Sequence, residues 1–313
     1  MKRVLITGGG GFLGRRIVLR AAAAGYETLA PSRMELDLDA GGAPLAEYFA
    51  REKPDAVIHS AAHYGGIGIC AAEPLALAAR NLRMAANIFE AAALGGAQKI
   101  VSVGSTCAYP GGMPDADMRE EDIFSGRCHP SVEAYGFSKR AHLVLMAAAR
   151  KQCGVSCAQT ALTNLYGEGD VFDDYRAHAA AALIKKIADA KQSGGDVRAW
   201  GDGAPVRQFL HAEDAADIIV RALRLPHDDW PVNVGGEAVS IRDLAEGIAD
   251  IAGLPRERIQ WDAEKPSGVA RKVADDSKLR RLFPDYAPVP FWEGLEKTVR
   301  WYLANKTEAD KRR

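Results

Sequence analysis

The sequence is poor in cysteine. Five occur in 313 residues, Cys70, Cys107, Cys128, Cys153 and Cys157, and no two form a CxxC pair. So sparse and odd a set argues against a disulfide framework and against a zinc site. Neither sign of charge is in excess: 40 Lys plus Arg stand against 41 Asp plus Glu, for a net charge of −1. That balance excludes a strong nucleic-acid or membrane-surface field as the main theme. No apolar run approaches the roughly 18 residues of a membrane helix. Val4-Leu5-Ile6, between Met-Lys-Arg and the first glycines, is too short for the core of a signal peptide. A reducing, cytoplasmic setting is therefore expected. Hydrophobic residues are plentiful at 48%, which excludes disorder over most of the length and allows one large α/β domain or two smaller ones.

Short β-branched runs alternate with Ala-rich stretches. Strands are expected at Val4–Thr7, Glu27–Ala30, Ala56–Ser60, Lys99–Val103 and Ser156–Ala161. Helices are expected at Phe12–Ala24, Pro44–Arg51, Pro74–Leu94 and Val132–Cys153. Strand runs this short and this continuously apolar fit strands buried on both faces, so the pattern predicts an α/β fold with a doubly wound parallel sheet. After Leu162 the rhythm loosens. Asn164–Asp174 reads as a loop, and helices follow at Ala177–Asp189, Asp214–Leu225, Ile241–Ala252, Ser277–Leu282 and Phe291–Leu303, with a short strand at Val232–Val234. The expected division is a dinucleotide-binding domain over 1–163, to which 210–235 returns, and a smaller α/β lobe over 164–209 and 236–304. A charged, frayed tail is expected over 305–313.

Thr7-Gly8-Gly9-Gly10-Gly11-Phe12-Leu13-Gly14 lies between an expected strand and an expected helix. The spacing Gly8, Gly11, Gly14 lets the first glycine make a tight turn, the second bring backbone close to a pyrophosphate, and the third pack helix on strand. The helix start offers free N–H groups to the phosphates. Phe12 and Leu13 share that loop. After the second strand comes Ser32-Arg33, with no carboxylate until Glu35. Arg33 favours NADP by meeting a 2′-phosphate; otherwise Glu35 or Asp37 takes the ribose of NAD. Leu38 is counted with Asp37 as a cofactor contact.

Tyr135-Gly136-Phe137-Ser138-Lys139 is a YxxxK motif on an expected helix, where residues four apart share a face. The Lys139 charge is expected to lower the Tyr135 pKa. With the glycine loop upstream and Ser105 after a strand, this set resembles the extended short-chain dehydrogenase/reductases. The resemblance implies that Ser105 hydrogen-bonds the reacting carbonyl, Tyr135 exchanges a proton with it, and Lys139 also holds the nicotinamide ribose.

Further segments narrow the likeness. Ala61-Ala62-His63-Tyr64-Gly65-Gly66-Ile67, Gly104-Ser105-Thr106-Cys107-Ala108-Tyr109-Pro110 and Thr163-Asn164-Leu165-Tyr166-Gly167 resemble the GDP-L-fucose synthase family. So do Trp200-Gly201-Asp202-Gly203, Arg207-Gln208-Phe209-Leu210-His211, Asn233-Val234-Gly235 and Lys265-Pro266-Ser267-Gly268. The resemblance implies a homodimeric, NADPH-dependent 3,5-epimerase and 4-reductase of a GDP-4-keto-6-deoxy sugar, with Ala61 and Ala62 beside the cofactor. It implies that Cys107 and His178 are the base and acid of epimerisation. A ketone at carbon 4 acidifies the protons on carbons 3 and 5, so a base on one face and an acid on the other can invert them, while Ser105 and Tyr135 hold the enolate oxygen.

Arg207 and Lys186 are candidates for the substrate diphosphate, Trp200 for covering a sugar or base, and Asn164 for a substrate hydrogen bond; Arg271 and Lys265 are further basic candidates. The other four cysteines are expected to be structural. The long helices Pro74–Leu94 and Val132–Cys153 are expected to pair in a dimer. The chain departs from the family pattern at Gly68–Ala71, Glu168–Phe172 and Lys265–Lys272. Two other readings stay open: an NAD(P)-dependent epimerase of another NDP-hexose or heptose without net reduction, and a non-catalytic NADP-binding protein. No metal is expected.

Overall fold

The computed structural model describes residues 1–112, 117–173, 175–264 and 269–311. Its first half winds β1 (Arg3–Thr7), α1 (Gly14–Ala23), β2 (Glu27–Leu29), α2 (Gly42–Glu52), β3 (Ala56–His59), α3 (Ile67–Ala72), α4 (Pro74–Leu94), β4 (Lys99–Ser105), α5 (Glu133–Cys153) and β5 (Ser156–Leu162). β9 (Val232–Val234) returns later to complete a six-stranded sheet of order β2-β1-β3-β4-β5-β9. Every pairing in it is parallel, which is the Rossmann-type arrangement. Consecutive strand residues feed opposite faces, as the twofold period requires. Leu5, Val57 and Ile100 enter a core with Leu45, Phe49, Ala85, Ile88, Leu143 and Met146 of α2, α4 and α5. Their neighbours Val4, Ile6, Ile58 and Val101 enter another with Ile17 and Ala21 of α1.

The second half adds β6 (Asn164–Tyr166), α6 (Ala179–Ser193), β7 (Val197–Trp200), β8 (Val206–His211), α7 (Ala212–Arg221), β10 (Glu237–Ser240), α8 (Ile241–Ala252), β11 (Ile259–Asp262), β12 (Arg271–Lys272), α9 (Ser277–Leu282) and α10 (Phe291–Ala309). α7 carries Ala215, Ala216 and Ile219 into the core beside α1. β8 is the hub of a small sheet: it pairs antiparallel with β10 and parallel with β6 and β12. α6, α8 and α10 bury Ile184, Ile187, Leu244, Ile248, Leu295 and Val299 in a third core.

Three expectations change. Asn164–Tyr166 is a strand and not loop, because β8 supplies its backbone partners. β4 continues through Ser105, since β5 pairs with it as far as Leu162. The expected tail over 305–313 is helical as far as Ala309. The helix passes a local break at Asn305 (φ −119°, ψ 18°), and Lys306 Nζ then contacts Asp189 and Asp310, each at 2.7 Å. Lys265 lies outside the described residues.

Candidate active site

The glycine loop is shaped by what a side chain would strike. Gly8 has φ +71°, and a Cβ there would lie 2.9 Å from the backbone of Ala61. A Cβ on Gly14 would lie 1.9 Å from the Gly8 carbonyl oxygen. Gly11 N–H donates to that same oxygen at 3.0 Å, which closes the turn. The first turn of α1 therefore sits directly on the end of β1, which places the positive end of the helix dipole at the loop for an anion. This cradle fits the diphosphate of a dinucleotide. Phe12 and Leu13, half-buried, complete it, and Ala61 N–H donates to Thr7 Oγ1 at 3.2 Å. Ala62 is exposed. Arg33 is exposed beyond β2, with its guanidinium 3.4 Å from Asp37. Leu38 is buried and its carbonyl accepts from Asn87.

Tyr135 and Lys139 face inward on α5, 8% and 2% exposed. Lys139 Nζ donates to the Val103 carbonyl at 2.9 Å and lies 5.8 Å from the Tyr135 ring centre. Burial pushes the Lys139 ammonium down to about 8. The Tyr135 phenol differs from expectation: burial, with Cys107 and Cys70 as lesser causes, raises its pKa. Gly136 explains how the next elements reach it. A Cβ there would lie 2.1 Å from the Cys107 carbonyl oxygen, so only glycine lets the single turn Thr106–Ala108 rest on α5. Ser105 caps that turn, its Oγ accepting from Cys107 N–H at 3.2 Å. Ser105, Cys107, Tyr135 and Lys139 thus share one place.

His178 stands at the N-terminal end of α6. Burial pushes its imidazole down to about 4, so it is neutral near pH 7. Tyr64, in the loop after β3, joins it to the rest. Its ring stacks on His178 at 4.6 Å, lies 5.4 Å from the Tyr135 ring, and its hydroxyl hydrogen-bonds the His178 imidazole. Tyr64 was legible only as part of a longer segment; nothing about a lone tyrosine marked it. Asp170 was also missed: it is 9% exposed, and burial pushes its carboxyl up to about 7.

The basic candidates divide. Arg207, half-buried on β8, bonds a backbone carbonyl of its own strand through Nη1, and burial lowers its pKa. Lys186 Nζ lies 5.9 Å from the ring centre of Trp200, which is 62% exposed. Asn164 spends its amide on the Gln208 carbonyl at 2.9 Å. Arg271 turns away to Asp117, at 2.6 Å. Its neighbour Lys272, not singled out beforehand, points to Cys107. A surface hollow of about 740 Å³ beside Phe49, Lys53, Asn87 and Leu94 lies between α2 and α4, where the chain enters β3 and β4, and carries no reactive set. No group of three or more metal-type side chains occurs among the described residues, and no helix there is long and apolar enough to cross a membrane.

A model of the NAD dependent epimerase/dehydratase family matches residues 4–235. A probable GDP-L-fucose synthase 1 of Oryza sativa subsp. japonica is 34% identical over 314 residues, 99% of this chain and 94% of that protein. A GDP-L-colitose synthase of Yersinia pseudotuberculosis is 32% identical, covering 97% of this chain and 99% of that one. The crystal structure of a GDP-L-fucose synthetase from Naegleria fowleri bound to NADP superimposes with a TM-score of 0.89 at 27% identity, over 99% of this chain and 95% of that chain.

Proposed function

This chain belongs to the NAD dependent epimerase/dehydratase family, and on that premise we propose that it is an NADP(H)-dependent epimerase/reductase of a GDP-activated 4-keto sugar, most like GDP-L-fucose synthase. The observation that carries the reading is the continuity of two reactive sets. Cys107 packs against Tyr135, and Tyr64 bridges Tyr135 to His178. One keto sugar can therefore meet groups suited to its carbonyl and groups suited to its adjacent C–H bonds.

Ser105 and Tyr135 hold the carbonyl oxygen, and in the reductive half Tyr135 gives it a proton. Lys139 orients Tyr135 and the cofactor ribose. When bound, NADPH supplies the hydride. Gly8, Gly11, Phe12, Leu13 and Gly14 hold its diphosphate, with Ala61 and Ala62 alongside; Arg33, near Asp37 and Leu38, meets the 2′-phosphate. Cys107 takes a proton from carbon 3 or 5, the C–H electron pair moves onto the oxygen, and His178 returns a proton from the other face. His178 is neutral in the free protein, so its acid role requires that the anionic substrate draw a proton onto it. Arg207 and Lys186 meet the diphosphate, Trp200 covers the sugar or base, and Asn164 lines the site. Arg271, already paired with Asp117, stays outside this set.

Separating the half-reactions tests this. Cys107→Ser should nearly abolish exchange of the carbon-3 and carbon-5 protons with deuterated water, yet leave ketone reduction. Tyr135→Phe should slow reduction by roughly 10²–10⁴ and leave partial exchange. Wild-type exchange and inversion in Cys107→Ser would remove the epimerase half of the reading.

A second reading keeps the machinery and changes the sugar to another hexose or heptose. The GDP-L-colitose synthase relative and the Glu168–Phe172 departure favour it. Thermal shifts with GDP-, UDP-, dTDP- and CDP-sugars, and the stoichiometry of NADPH consumption, separate the two.

The protein on this reading is a cytoplasmic homodimer. All five cysteines are free, which suits a reducing compartment. Leu75 and Leu94 on α4, with Phe137 and Val144 on α5, are exposed and suit a paired-helix interface. A monomer by light scattering at micromolar concentration would reject the dimer.

A further inference from the structure

We propose that Lys272 is the counter-cation of the Cys107 thiolate, a positioning residue that acts on proton transfer through the sulfur. The proposal rests on the reading of Cys107 as the group that takes the sugar proton.

Lys272 Nζ lies 3.4 Å from Cys107 Sγ, between residues 165 apart in sequence. That contact is built into the fold. β12 is two residues long, and side chains alternate along it: Arg271 turns outward to Asp117, and Lys272 turns inward to the sulfur. The flanking backbone is held from two directions. Met118 N–H donates to the Val273 carbonyl at 2.9 Å, and Asp275 N–H to the Met118 carbonyl at 3.0 Å. Ala274 N–H donates to Gln208 Oε1 at 2.8 Å, and Gln208 Nε2 donates back to the Ala274 carbonyl at 3.2 Å. Register pairs Lys272 with Arg207 of β8. The segment that delivers the cation is thus anchored before any substrate arrives.

The sulfur's other titratable neighbours carry no charge near neutral pH. The titratable groups facing it are Tyr64, Cys70, Cys128 and Tyr135. All four are uncharged near neutral pH, and burial pushes the Cys70 thiol up to about 11. None of them stabilises an anion by charge. Among the described residues, Lys272 is the cation in hydrogen-bond contact with Cys107, and a thiolate beside an ammonium is the favoured state of such a pair.

The proton balance is simple. In the resting site the Cys107 S–H bond breaks, its proton goes to solvent, and the thiolate remains against Lys272. In the reaction an S–H bond forms as the sugar C–H bond breaks, and the electron pair moves to the carbonyl oxygen. Lys272 keeps its three protons throughout.

The test is the pH profile of Cys107 alkylation by iodoacetamide in the full-length protein, read by peptide mass so that the other cysteines are counted separately. Wild type is compared with Lys272→Met, Lys272→Gln and Lys272→Arg, each checked for an unchanged melting transition. The expected result is a half-alkylation pH raised by about one unit in the Met and Gln variants, with alkylation near neutral pH about tenfold slower, and recovery in the Arg variant. A loosened site would speed alkylation, so a structural role does not imitate this. An unchanged midpoint in whichever neutral variant folds overturns the proposal. Proton exchange in Cys107→Ser separately decides whether Cys107 is the base: normal exchange there, with the midpoint still shifted in Lys272→Met, would sink that reading and leave the ion pair standing.

Discussion

The Tyr64 ring stacks on the His178 imidazole at 4.6 Å and 24°, and its hydroxyl hydrogen-bonds the same imidazole. One tyrosine thus sets both the tilt and the polar contact of His178. Tyr64→Phe keeps the stacking and removes the hydroxyl. Loss of a hydrogen bond of ~0.5–1.5 kcal/mol should lower inversion roughly two- to tenfold, with ketone reduction less affected. Product stereochemistry by NMR checks it, and equal losses in both halves would show that Tyr64 does not act through His178.

Gly14 tolerates no side chain. A Cβ would stand 1.9 Å from the Gly8 carbonyl oxygen, so Gly14→Ala must push α1 off the end of β1. Overpacking of this kind costs ~1–3 kcal/mol. The expected outcome is a lowered melting temperature together with loss of NADPH binding by fluorescence titration. Wild-type affinity in a stably folded variant would show that the loop does not hold the cofactor.

On the proposed reading, Arg33 discriminates between cofactors by its charge. Its exposed guanidinium lies 3.4 Å from Asp37, an exposed pair of small worth, so it can swing onto a 2′-phosphate. Arg33→Ala should weaken NADPH roughly ten- to a hundredfold, from a charge-assisted contact of ~1.5–3 kcal/mol, and leave NADH nearly unchanged. Equal losses for both would assign the discrimination elsewhere.

Acid should destabilise the fold before most carboxylates titrate. Burial holds His59 down to about 3 and His178 down to about 4, and lowers His142 well below its usual value. Once unfolded, each takes a proton as the pH falls through ~6.5. The unfolded state then binds more protons, and stability falls with pH. Asp170 opposes this: with its carboxyl pushed up to about 7, the folded state takes that proton first. The three imidazoles outweigh it and leave a net loss as the pH drops from about 6.5 toward about 4, with Glu120 and Asp214, whose carboxyls burial also raises, opposing at the acid end. Urea midpoints that stay level or rise over that window would contradict the buried neutral imidazoles.

The sheet was legible in sequence because its signals are local. Val4-Leu5-Ile6, Ala56-Val57-Ile58 and Ile100-Val101 are short apolar runs, and helices Pro74–Leu94 and Ile241–Ala252 each end at a glycine, Gly95 and Gly253. The glycine spacing and the four-residue step from Tyr135 to Lys139 are likewise local, and His178 and Cys107 emerged by resemblance. What the neighbours of a residue cannot encode is where the chain returns. Asn164–Tyr166 and Arg271–Lys272 have too few residues to be strands alone and become so because both pair along β8. The last turns of α10 pass a break at Asn305 and persist through Lys306 and its carboxylates. Tyr64 meets His178 across 114 residues, and Lys272 meets Cys107 across 165. Sequence alone determined the alternating core and the chemistry carried on single elements. Tertiary structure decided which distant side chains stand together, because those contacts depend on how the second lobe folds back over the ends of the strands.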